Sequence, residues 1–184
     1  MESLQRAGVE AVIRALASSQ VGKGAGRASF EAPTFIDSGG FEEVAKALLD
    51  QQRSGVAVIF DRVAGPGFLQ LATPVVGADS TTLEFGLPNA EWAASGWDRL
   101  LASLRRQGFQ VELEVASEGI GFDMFLRVRV QGSSDALARP GAALLETARE
   151  HFGWLPESRY LVRPVSFRQD DGADPPGSVV GRVE

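Results

Sequence analysis

Glu112 and Glu114 stand two residues apart, a spacing that on a β-strand sends both side chains to the same face. Two carboxylates on one face could share a site and work as acid–base groups, since each perturbs the other's proton affinity. A solvated strand face explains the pair more simply, and it is the stronger reading. The other candidates for chemistry thin out quickly. His151 is the only histidine, so no multi-histidine metal cluster can form, and the last turn of a helix suits its cationic form. Gly22-Lys23-Gly24-Ala25-Gly26-Arg27 lacks a strand before it and a hydroxyl after its lysine, both of which a phosphate loop requires. It reads as linker. Asp170, Asp171 and Asp174 fall short of a calcium loop, which needs further oxygen ligands and a closing bidentate glutamate. Cysteine is absent, which removes disulfides, thiolate nucleophiles and cysteine-ligated metals. The expectation is a chain without catalytic residues, metal site or cofactor.

Aromatic and basic residues offer a different chemistry, that of contact. Trp92 and Trp97 are five positions apart, so on one helix they would point roughly 140° away from each other. If Trp97 joins the leucines of that helix inside, Trp92 is left outside as a candidate anchor for a protein interface. Alternatively Trp92 precedes the true helix start and covers a loop. Phe125 falls on the polar side of its strand, between Asp123 and Arg127. With Arg127 and Arg129 it could form an aromatic-plus-arginine contact patch, unless the last strand or the N-terminal arm covers it.

Charge narrows the partners. The net charge is −6 over 184 residues, so the summed field repels nucleic-acid phosphates and anionic membrane surfaces. The densest basic pair, Arg105-Arg106, sits where a helix C-terminus would welcome it. No apolar run approaches the ~18 residues that span a bilayer, and residues 1–16 alternate charge with apolar groups, unlike a signal peptide. The expectation is a cytoplasmic protein whose partner is another protein, not nucleic acid or membrane.

These residues need elements to hold them. Residues 2–18 have the periodicity of a helix, and 19–40 read as a linker rich in small residues and broken by Pro33. A second helix begins near Gly40, with Phe41, Val44, Ala45, Leu48 and Leu49 inward. Strands follow at 56–62, 68–75 and 81–85, the first two joined by the Gly65-Pro66-Gly67 turn. A helix over about 89–107 has Trp97, Leu100, Leu101 and Leu104 on one face, with Ser95-Gly96 marking either a kink or its true start. Residues 109–115 and 120–130 alternate apolar and polar for so long that a hairpin with one buried and one solvated face is expected. A fourth helix covers roughly 135–152, with Pro140 tolerable only near its first turn. A last strand runs from Tyr160 to Phe167, at an edge because Pro164 cannot donate to a ladder. The division is therefore an N-terminal helix and linker (1–39), an α+β domain (40–167) and a polar tail expected to be disordered (168–184).

The stretches FEEVAKALLD, VAVIFDRV, GFLQLATPVV, TTLEFGL, WDRLLASLRRQ, FQVELEV, GFDMFLRVRV and GAALLETAREHF run helix, three strands, helix, two strands, helix. That order resembles the small secretion-chaperone fold of class I type III secretion chaperones and YbjN-type proteins. The resemblance covers a little over half the chain and is one of element order and size, together with acidic character. It implies an antiparallel sheet with helices packed on one face, with the N-terminal helix and C-terminal edge strand as additions. It also implies a homodimer built around the third helix and its neighbouring strands, and the binding of an extended segment of another protein. Chaperone-like or adaptor binding is thus the leading expectation. The alternatives are an immunity or antitoxin-type protein that neutralises a basic partner through Glu112 and Glu114, and a small carboxylate-dependent enzyme.

Overall fold

Alternating strands and amphipathic helices can satisfy their backbones and bury their apolar sides together only by stacking helix on sheet. The computed structural model of the chain, which describes residues 2–18, 34–115 and 122–166, has that architecture. Its elements are α1 (Glu2–Ser18), β1 (Phe35–Ile36), α2 (Phe41–Asp50), β2 (Val56–Arg62), β3 (Phe68–Val76), β4 (Thr81–Pro88), α3 (Trp97–Arg106), β5 (Val111–Val115), β6 (Met124–Gly132), α4 (Ser134–His151) and β7 (Tyr160–Ser166). The strands form one sheet in the order β1-β7-β2-β3-β4-β6-β5, and every pairing is antiparallel. It is an α+β fold, and the expected order of helix, three strands, helix, two strands, helix runs from α2 to α4.

The buried face of the sheet follows the period-two pattern. Val58, Phe60, Leu69, Leu71, Leu83, Phe85, Leu87, Leu126 and Val128 are all fully buried under the helices. Phe41 of α2 meets Phe60 edge-on at 5.3 Å and Tyr160 at 5.2 Å, which locks α2 across β2 and β7. Gly141 of α4 approaches so closely that a Cβ there would lie 2.7 Å from Leu83 Cδ2. The N-terminal helix joins the same core: Val9, Val12 and Leu16 of α1 are buried beside Ile36 and Gly40.

Several expectations shift in position, among them the second hairpin strand, which runs Met124–Gly132 rather than over 120–130. The third helix does not begin at 89. Residues Glu91–Ala93 form a single 3₁₀ turn, and the α-helix starts at Trp97 with Gly96 at its N-cap. Gly96 packs against the end of α4, where a Cβ would stand 2.5 Å from the His151 carbonyl oxygen, so two helix ends meet at this position. The last strand is not quite outermost, because the two-residue β1 pairs with its first residues. The Val162 amide points outward to the Thr34 carbonyl at 3.0 Å, so position 164 also faces outward, past the end of β1. The N–H that Pro164 lacks would therefore have no ladder partner among the described residues. Pro140 lies in the second turn of α4, so the carbonyl of Ala136, an exposed residue, loses its helical donor. The 19–33 linker with its glycine-lysine run, the 117–119 turn and the aspartates of the tail fall outside the described residues.

Candidate functional site

The side of the sheet turned away from the helices brings together five of the six contact residues expected from the sequence. Pairing of β5 with β6 and of β6 with β4 sets Glu112 and Glu114 beside Arg127 and Arg129, and these beside Glu84. The ions interlock, Arg129 and Glu84 directly across from each other and the other pairs along the diagonals. Arg129 donates from Nη1 to Glu112 Oε2 at 2.7 Å and from Nε to Glu84 Oε2 at 2.8 Å. Arg127 donates from Nη1 to Glu84 Oε1 at 2.5 Å and from Nε to Glu114 Oε2 at 2.8 Å. The result is a ladder, Glu112–Arg129–Glu84–Arg127–Glu114, in which the two arginines alternate with three carboxylates.

Glu84 is the pivot. Its side chain is only 3% exposed, and each carboxylate oxygen takes one arginine, which compensates for its removal from water. Burial alone would lower the Arg127 pKa, but the charges and hydrogen bonds of Glu84 and Glu114 outweigh it and hold the pKa above its ordinary value. Exposure rises towards the edge: Arg129 is 41% and Glu112 52% exposed, so the outer end of the ladder faces water. Sequence reasoning missed Glu84. It alternates with Leu83 and Phe85 like any solvated strand residue, and only the β4–β6 register reveals its partners.

Phe125 sits on the same face. Its ring lies over Gly86, where a Cβ would come within 2.8 Å of Cε1, and Phe122 lies 6.0 Å away. The Arg127 guanidinium stands 5.2 Å from its centroid, a cation–π contact that ties the aromatic to the ladder. Phe125 is therefore half-buried, with glycine as its seat.

Trp92 is not part of this surface. It occupies the 3₁₀ turn and packs at 5.5–5.9 Å against Phe68, Phe152 and Trp154. Of the two expectations for Trp92, the structure has the second: the helix starts at Trp97, and Trp92 lies before it, half-buried at one end of the sheet. Arg149 fastens this cluster, donating from Nη1 to the Trp154 carbonyl at 2.6 Å while pairing with Glu146. Behind it Tyr160 is completely buried, and its hydroxyl makes no hydrogen bond with the described residues. Burial pushes its pKa up to about 12, aided by Glu146 and opposed by Arg149 and Arg62.

The edge beside the ladder is β5. Among the described residues no strand pairs with its outer side. Leu113 and Val115 point to the helix side of the sheet yet remain 40% and 56% exposed. Apolar side chains left in water on an unpaired strand are what an added strand would cover. A groove of about 580 Å³ lies between α2 and α4. It mixes Glu42, Glu43 and Asp135 with Lys46 and Arg139. Among the described residues no group of three or more His, Cys, Asp or Glu could hold a metal ion, and no helix is long and apolar enough to cross a membrane. No family model, no curated protein and no solved structure matches this chain.

Proposed function

We propose that this protein is a non-enzymatic protein-binding module, chaperone-like or adaptor in character, that receives an extended segment of a partner along β5. The observation that supports this most is the unpaired edge with Leu113 and Val115 in solvent. Strand addition supplies main-chain hydrogen bonds to such an edge, and alternate side chains give the contact its selectivity. Glu112 and Glu114 each hold an arginine, so their arrangement serves the surface rather than acid–base work between the two carboxylates. The test is recovery of the protein with its native partner from the source cell, repeated with Leu113→Lys and Val115→Lys combined. Both side chains are solvent-facing, so the melting temperature should hold while the partner is lost. A partner retained at full strength would remove β5 from the account.

A second reading, an immunity-type protein that neutralises a basic partner, is favoured by the acidic outer end of the ladder. It differs in requiring a tight one-to-one complex with a folded basic protein that salt weakens. Tight one-to-one binding to a folded protein that resists unfolding would select it over binding of an extended segment.

A further inference from the structure

The strand at the edge reads Val111-Glu112-Leu113-Glu114-Val115, and its neighbour β6 reads Leu126-Arg127-Val128-Arg129-Val130. Across the sheet the charges alternate by strand: acid on β4, base on β6, acid on β5. The next strand outward would restore that alternation if it were basic. We infer that the segment bound at β5 is an extended stretch of a partner protein in which arginine or lysine alternates with apolar residues, the pattern that β6 itself presents.

Two features carry this, and both depend on the reading of β5 as the partner-binding edge. The first is unused acceptor capacity. Glu112 and Glu114 bind their arginines through Oε2 alone, so each Oε1 has no hydrogen bond among the described residues. A basic side chain on an added strand would lie directly across from each carboxylate, where opposite charges stabilise a pair. Meanwhile its apolar side chains would fall beside Leu113 and Val115 on the other face.

The second is exclusion of the obvious competitor, a second copy. The β5 sequence is a palindrome, so antiparallel self-pairing centred on Leu113 would match Val111 with Val115 and keep the apolar side chains together. It would also set Glu112 of each copy opposite Glu114 of the other, placing four carboxylates in adjacent rows. Like charges directly opposite destabilise a strand pair, and each copy already carries a net charge of −6. Charge therefore selects a basic strand over a second copy.

The experiment is a fluorescence-anisotropy titration of the full chain with three labelled synthetic peptides. One carries the alternation Leu-Arg-Val-Arg-Val, and in the others threonine or glutamate replaces the arginines. The arginine peptide should bind roughly tenfold more tightly than the threonine peptide, from two cross-strand charge pairs. The glutamate peptide should bind most weakly, and added salt should narrow the gap. Glu112→Gln should cut arginine-peptide affinity several-fold and leave threonine-peptide affinity alone. Equal binding of the arginine and threonine peptides overturns the charge code while strand addition survives. Binding of none of them overturns both readings. A two-copy species in sedimentation that disappears with Leu113→Lys would assign the edge to self-association and overturn the basic partner.

Discussion

At the scale of single residues the molecule depends on two buried polar groups that resolve their burial in opposite ways. Glu84 is compensated from both sides, so neutralising it leaves Arg127 and Arg129 short of a counter-charge. Glu84→Gln should lower stability by about 3 kcal/mol in denaturant titration, as removal of one partner from a buried pair does. Arg129 can turn to water, which sets the cost near the lower end of that range. A change under about 0.5 kcal/mol would mean the ladder holds nothing together. The Tyr160 hydroxyl has no hydrogen-bond partner among the described residues. Deleting it in Tyr160→Phe should be neutral or mildly stabilising, because a buried group without a partner contributes only a desolvation penalty. The pH dependence has a definite sign. A phenol with an unfolded pKa near 10 and a folded value of about 12 releases its proton first from the unfolded chain. Stability is therefore whole below pH 10 and falls by on the order of 2 kcal/mol towards pH 12. Comparison of thermal melts of wild type and Tyr160→Phe through that window isolates this share; parallel curves would contradict it.

At the scale of elements, legibility followed periodicity. The β5–β6 alternation could be read directly, because period two over so many residues admits no helix, and it placed Glu112, Glu114, Phe125, Arg127 and Arg129 on one face. Glu84 stayed hidden because a register between β4 and β6 is a tertiary fact: nothing in TTLEFGL states which residue stands across from Arg129. Trp92 was ambiguous for a related reason. α3 starts where Gly96 comes close to the His151 carbonyl, an approach between segments more than fifty positions apart in the sequence. The two residues of β1 are too few to show any period at all. Gly86 offers a test at this scale, since it seats the Phe125 ring. Gly86→Val gains strand propensity but displaces the aromatic, and a net loss of about 1–3 kcal/mol is expected, as overpacking brings. A gain in stability would show that the ring can leave its seat freely.

At the scale of the whole molecule, helices roof one face of the sheet, charge orders the other, and the β5 edge has no strand beside it among the described residues. The core is closed, whereas the ladder ends on Glu112 and Glu114, whose Oε1 atoms accept no hydrogen bond among the described residues. The β5 edge beside them is incomplete too, because Leu113 and Val115 remain partly in water. Amide hydrogen exchange along 111–115, with and without saturating Leu-Arg-Val-Arg-Val peptide, tests this most directly. An added strand should slow exchange at the outward-facing amides of β5 and leave those of β2 and β3 as they were. Exchange in β5 that is indifferent to a bound peptide would place the contact elsewhere and contradict the account.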